Sequence, residues 1–75
     1  MPNIEYKIVE NLGVISEGNK GWNRELNLIQ WNNSTTPKYD LRDWAPDHLR
    51  MAKGITLSKE EMIALRDVLN KIDLD

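Results

Sequence analysis

The segment Ser58-Lys59-Glu60-Glu61 has the pattern of a helix capping box, and it assigns the clearest helix of this chain to its C-terminal end. The Ser58 hydroxyl can accept a hydrogen bond from the amide of Glu61, whose carboxylate can reach back to the amide of Ser58. Apolar residues then recur on one helical face: Met62, Leu65, Val68, Leu69 and Ile72. The pattern predicts a single amphipathic helix of about four turns.

The chain before the capping box is typical of β-structure. Segments rich in β-forming side chains are separated by turn residues, and they cover residues 6–9, 12–16, 22–31, 38–44 and 52–57. We expect a turn or a bulge at residues 11–13 and a polar hairpin loop at residues 32–37. About four strands followed by one helix predict an α+β fold, with an antiparallel sheet covered by the helix on one face. Residues 1–75 are expected to form one domain.

A chain of 75 residues and 8.7 kDa buries only a small core, so it needs reinforcement. The absence of cysteine excludes disulfides and thiolate zinc sites, and a single histidine argues against a structural metal site. No metal or other cofactor is therefore expected, and self-association as a homodimer is favoured. Ile63 and Leu74 lie outside the apolar face of the predicted helix. They are either isolated exposed apolar side chains or contacts for a second chain.

The predicted location is the cytoplasm. No apolar run approaches the ~20 residues needed to span a bilayer, so no membrane contact is expected. The first five residues also lack the basic start and the apolar stretch of a signal peptide. These features predict a soluble cytoplasmic protein.

The distribution of charge is more informative than its total. A net charge of −2 argues against a nucleic-acid partner. Residues 18–53, however, carry a net charge of +2 and all three tryptophans, whereas residues 1–17 and 54–75 carry −2 each. The basic, tryptophan-containing middle of the chain is therefore the candidate binding region.

Alternation along the strands divides these side chains between two faces of the sheet. The helix is expected to cover the row that contains Leu26, Leu28, Tyr39 and Leu41. The other row is predicted to be exposed, and it consists of Asn27, Ile29, Trp31, Lys38, Arg42 and Trp44. Exposed rings among cations are typical of proteins that bind single-stranded nucleic acid, because bases stack on the rings. The alternative is that the tryptophans fill a dimer core.

Three further candidates for nucleic-acid binding lie at the start of the strand segment 22–31 or just before it. Lys20 and Trp22 lie in or beside a glycine-flanked loop that can close over a ligand backbone, and Arg24 follows in the same basic region. Packing of Trp22 against the edge of the sheet is the alternative.

The inventory for catalysis is poor. His48 is the single histidine and is expected to be a solvated loop residue. Asp40 and Asp43 fall on opposite faces of their strand, so their carboxylates cannot share a proton or a metal ion. No catalytic residue, enzymatic activity or small-molecule substrate is therefore predicted.

Several segments resemble the transcriptional coactivator family of positive cofactor four, most closely its bacterial YdbC-like branch. They are GWNRELNL at residues 21–28, YDLRDWAPDH at 39–48, KGITL at 53–57 and the helix that follows. The resemblance spans roughly residues 5–72. It implies a curved antiparallel sheet followed by a helix, assembled as a homodimer that binds single-stranded DNA with little sequence preference.

The resemblance also implies roles for individual residues. Trp31 matches the family's stacking aromatic, Arg42 and Lys53 match its basic residues, and Trp44 matches the aromatic that follows the arginine. Asn27 occupies the same row. The uncharged loop at residues 32–37 departs from the eukaryotic pattern, which has basic residues there, and predicts weaker or less salt-dependent binding. A protein-interaction module and single-stranded RNA binding are the alternative functions, and transcription, replication and repair remain open as pathways.

Overall fold

The computed structural model describes residues 5–32 and 36–75. Its elements are the strands β1 (Tyr6–Glu17), β2 (Asn23–Trp31), β3 (Lys38–Trp44) and β4 (Ile55–Leu57), followed by the helix α1 (Lys59–Leu69). The strands lie in the order β1-β2-β3-β4, and each is antiparallel to its neighbour. The predicted four-stranded antiparallel sheet with a C-terminal helix is therefore confirmed. Residues 33–35 of the predicted hairpin loop lie outside the described residues.

The first strand is a single bulged element rather than two short strands. Its pairing with β2 shifts register between residues 8 and 10, 11 and 13, and 14 and 16. Each bulge bends the strand and increases its twist. The predicted irregularity at residues 11–13 is thus one of three, and the strand continues through all of them.

The helix begins as predicted but ends earlier. The amide of Glu61 donates to Ser58 Oγ at 3.1 Å, and the amide of Ser58 donates to Glu61 Oε1 at 2.9 Å, which confirms the capping box. After Leu69 the amides of Lys71 and Ile72 bond to carbonyls three residues back instead of four. This tightening ends the α-helix, so Ile72 lies beyond it and the prediction of four turns is wrong.

The apolar core is small. Among the described residues, only Ile29, Trp44 and Ala45 are buried hydrophobic residues, and none of the residues of α1 is buried. Between α1 and the sheet lies an apolar groove of about 350 Å³, whose apolar lining residues are Ile15, Leu26, Leu41, Leu57, Met62, Leu65 and Leu69. The helix therefore covers its side of the sheet only in part. No helix in the described part of the chain is long and apolar enough to cross a membrane.

Candidate nucleic-acid interface

The row of side chains selected from alternation does share one face of the sheet, which we call the inner face. Asn27 pairs with Asp40 across β2 and β3, and Glu25 pairs with Arg42. Asn27 and Ile29 are fully buried and Trp44 is 1% exposed, so the prediction that this face is exposed is wrong for these three residues. Lys38 is exposed, and Trp31 and Arg42 are half-buried.

Aromatic side chains close the inner face. The Tyr6 ring on β1 lies 5.5 Å from the Trp44 ring and 6.0 Å from the Trp31 ring, measured between centroids. The His48 imidazole meets Trp44 edge-on at 5.0 Å. Trp44 is therefore enclosed by Tyr6 and His48, whereas Trp31, at the end of β2, keeps access to solvent. Of the two rings predicted to stack with bases on this face, only Trp31 retains the exposure that stacking requires.

A buried polar network lies beside Trp44. The Glu25 carboxylate, 6% exposed, accepts hydrogen bonds from Asn11 Nδ2 at 3.1 Å and Asn27 Nδ2 at 3.3 Å. Its Oε1 also lies 2.8 Å from His48 Nε2. His48 and the preceding Asp47 both have left-handed backbone conformations, with φ of 56° and 58°, in the turn that carries the imidazole. The His48 side chain is 40% exposed, so it is a solvated residue as predicted, although its Nε2 also contacts Glu25.

Arg42 is held by a buried carboxylate on its own strand. Its Nε donates to Asp40 Oδ1 at 2.6 Å and its Nη2 donates to Asp40 Oδ2 at 2.7 Å, while the Thr56 hydroxyl donates to Asp40 Oδ2 at 2.9 Å. The guanidinium carbon of Arg42 lies 5.1 Å from the centre of the Trp31 ring, within cation–π distance. Arg42 thus covers Trp31 while its charge is paired.

Arg24 is also paired, but on the opposite face. Its Nε and Nη2 donate to the two carboxylate oxygens of Asp43 at 2.8 and 3.2 Å, directly across β2 and β3. The hydrogen bond from Arg24, assisted by its positive charge, lowers the pKa of the Asp43 carboxyl and raises the pKa of Arg24. Two of the predicted nucleic-acid contacts are therefore neutralised by carboxylates.

Three predicted lysines differ from these arginines. Lys20, Lys38 and Lys53 are exposed and form no ion pair within the described residues. Lys53 precedes Gly54, whose backbone packs so closely on β3 that an added Cβ would collide with Arg42 and lie 2.5 Å from the Leu41 carbonyl oxygen. This approach places Lys53 beside Arg24 and Arg42 around a depression of about 260 Å³.

A second pairing of tryptophan and arginine lies at the other end of β2. The guanidinium carbon of Arg50 lies 6.0 Å from the centre of the half-buried Trp22 ring. Trp22 and Trp31 are nine residues apart along an extended segment, or roughly 30 Å at the usual rise of a strand. Arg50 was not among the sequence candidates, because a loop residue 28 positions from Trp22 gives no local signal of this contact.

Comparison with known proteins identifies the family. The family model described as Transcriptional Coactivator p15 (PC4) matches residues 18–68, from the turn before β2 nearly to the end of α1. The chain belongs to this family. It is also 46% identical, over 70 residues, to an uncharacterized protein of Treponema pallidum (strain Nichols), a match that covers 93% of this chain and 81% of the relative. The PC4 family is known for single-stranded DNA binding and coactivation and is not a family of enzymes.

The structure separates the predicted site residues of this PC4 family member into four groups. Trp31, Arg42 and Lys38 share the inner face, Lys53 lies with Arg24 around the depression, and Lys20 and Trp22 lie at the far end of β2. Asn27 and Trp44 are interior, and Arg24 is bound to Asp43. Among the described residues, no group of three His, Asp or Glu side chains is arranged to hold a metal ion.

The ion pair between Arg24 and Asp43 leads to a prediction about the pKa of the Asp43 carboxyl. Because Arg24 lowers the pKa of Asp43 in the folded state, the pair contributes stability at pH above the ordinary carboxyl pKa of about 3.9. That contribution is lost as the pH falls through the lowered value. We expect Arg24→Gln to raise the Asp43 pKa towards its ordinary range, as followed by NMR titration of the Asp43 carboxyl carbon.

The matched control is Arg66→Gln, which removes a similarly exposed arginine near Asp67 and leaves the Asp43 pKa unchanged. An equal Asp43 pKa in wild type and Arg24→Gln would contradict this account. Because both members of the pair are exposed, we expect little change in overall stability.

Proposed function

We propose that this PC4 family member is a homodimer that binds single-stranded DNA with little sequence preference. The observation that supports this most strongly is the partly exposed Trp31 ring beneath the Arg42 guanidinium, on the same face of the sheet as the exposed Lys38. Bases stack on aromatic rings regardless of sequence, and cations follow the phosphates. Duplex DNA presents only base edges in its grooves and would leave the ring unused.

The proposed contacts follow from exposure and charge pairing. Trp31 stacks with a base and Lys38 contacts a phosphate near it, while Lys53 contacts a phosphate at the other end of β3. Trp22, Lys20 and Arg50 extend the path to the other end of β2. Asn27 and Trp44 are left out because they are buried, and Arg24 is left out because Asp43 occupies its guanidinium.

The homodimer is proposed from the open groove between α1 and the sheet. Met62, Leu65 and Leu69 on α1 face Leu26 and Leu41 across this groove, yet no residue of the helix is buried. A second copy that covers the groove would complete the core that one small chain lacks. Ile63 and Leu74, the sequence candidates for this contact, are both exposed, and their role in the dimer stays a prediction.

Titration with oligo-dT tests the proposed activity. We expect oligo-dT to quench tryptophan fluorescence at submicromolar to micromolar concentration, and Trp31→Ala to weaken binding by about 1–3 kcal/mol, roughly 5- to 150-fold, because one stacked base is lost. Trp31→Phe keeps a ring and is expected to retain most of the affinity. Absence of any binding at low salt would contradict the proposal.

Competition distinguishes the remaining ligands. An excess of oligo-U that displaces oligo-dT with equal affinity would extend the proposal to RNA, since no residue of the site is assigned to a ribose hydroxyl. If neither oligonucleotide binds, a protein partner becomes the better candidate ligand for this surface. The cytoplasmic location and the cellular pathway stay predictions.

A further inference from the structure

We propose that Asp40 neutralises Arg42 and converts it from a phosphate contact into a support for the Trp31 ring. This inference rests on the proposed single-stranded DNA binding. It assigns Asp40 and Arg42 as positioning residues that act through Trp31, and it departs from the role that the family resemblance implies for the arginine.

The first argument is the number of hydrogen-bond donors that Arg42 has left. A guanidinium carries five N–H donors. Nε and one donor of Nη2 are bound to Asp40 at 2.6 and 2.7 Å, and Nη1 donates to Met51 Sδ at 3.2 Å and the Ala52 carbonyl oxygen at 3.4 Å. One donor remains, on a side chain that is 13% exposed. Little of Arg42 is therefore available to a phosphate.

The second argument is the burial of its partner. Asp40 is fully buried, and the Thr56 hydroxyl holds one of the carboxylate oxygens that also binds Arg42. Withdrawing Arg42 towards DNA would leave a buried carboxylate without its counter-charge, which is strongly unfavourable. The pair therefore stays intact when a nucleic acid binds.

The third argument is the position of the guanidinium. It lies over Trp31 at 5.1 Å, while Tyr6 contacts the same ring at 6.0 Å with the two ring planes inclined by 49°. Arg42, which is held by Asp40, and Tyr6, which also contacts Trp44, restrict the orientation of the ring before a base arrives. Fixing a contact group in its bound geometry favours affinity because less motion is lost on binding.

If the inference is right, the positive charge of Arg42 does not contribute to the salt dependence of DNA binding. Each phosphate contact in single-stranded DNA adds about −0.7 to the slope of log K against log salt. The test is the double variant Asp40→Asn/Arg42→Gln, which leaves the net charge at −2. We expect oligo-dT affinity to fall about 2- to 30-fold at every salt concentration through loss of the cation–π support, with an unchanged slope.

Lys38→Gln is the matched control, because it removes an exposed lysine that has no ion pair within the described residues, and it is expected to make the slope shallower by about 0.7. A similar change of slope in the double variant would overturn the inference, since Arg42 would then contact a phosphate. Unchanged affinity in the double variant would also overturn it, because the support of Trp31 would have no effect.

A measurement on the unaltered protein covers the case in which the double variant fails to fold. We expect the Arg42 Nε proton to exchange slowly with solvent, with and without oligo-dT. The Arg50 Nε proton should exchange rapidly in the free protein, because Arg50 forms no ion pair within residues 5–32 and 36–75. Loss of Arg42 protection on adding oligo-dT would overturn the inference. If wild type does not bind oligo-dT at all, the proposed function itself fails.

Discussion

Leu65→Glu is expected to convert the protein from a folded dimer into a largely unfolded monomer. Leu65 lines the apolar groove between α1 and the sheet and is 40% exposed in the single chain. In the proposed dimer, a carboxylate at this position would be buried without a partner, which is strongly unfavourable. Since few residues of one chain are buried, loss of the second copy removes much of the core. Sedimentation equilibrium and circular dichroism at high micromolar concentration provide the measurement.

Ala64→Glu is the matched control, because it introduces the same charge one residue earlier, about 100° around α1, at an exposed position that does not line the groove. We expect this variant to remain a folded dimer. A wild-type protein that sediments as a monomer of 8.7 kDa would contradict the proposed assembly. A Leu65→Glu variant that stays folded and dimeric would show that the groove is not the interface.

Trp44→Ala is expected to lower the free energy of unfolding by about 3–5 kcal/mol, since it empties the largest buried side-chain volume in the described chain. The ring is 1% exposed and contacts both Tyr6 and His48, so its removal also leaves their packing incomplete. Because small proteins are stable by only about 5–15 kcal/mol, the loss is a large part of the total. Urea unfolding followed by circular dichroism measures it.

A second variant separates this structural role from DNA contact. Trp44→Leu fills part of the space without a stacking ring, so it should be less destabilised than Trp44→Ala. At a temperature where it is folded, we expect its oligo-dT affinity to stay within about twofold of wild type, whereas Trp31→Ala loses the contribution of a stacked base. A large loss of affinity in folded Trp44→Leu would show that Trp44 does contribute to DNA binding.

The sequence predicted which side chains share a face but not which face is buried. Alternation placed Asn27, Trp31 and Trp44 together because side chains of a strand point to opposite sides in turn. Burial depends instead on how β1 bends and on where Tyr6 and His48 arrive, and both are properties of the assembled chain. The inner face was consequently expected to be open, whereas the groove beside α1 is the more exposed side.

Local chemistry was predicted more accurately than distant contacts. The capping box of Ser58 and Glu61 needs only residues three apart, and it is present as expected. Asp40 and Arg42 are two apart on one strand face, so their pairing had a detectable signal, although the arginine was assigned to DNA. The contact between Glu25 and His48 spans 23 residues through a turn with left-handed backbone, and no short-range pattern indicates it.

The three bulges of β1 have a consequence for aggregation. This strand is 12 residues long, forms an edge of the sheet and carries the exposed side chains of Val9, Val14 and Ile15. A regular edge strand of this composition would present a row of unpaired backbone N–H and C=O groups to another unfolding chain. Because the register shifts every two or three residues, no long flat segment is available as a template. The irregularity that bends the sheet thus also protects its longest edge against fibril-like pairing.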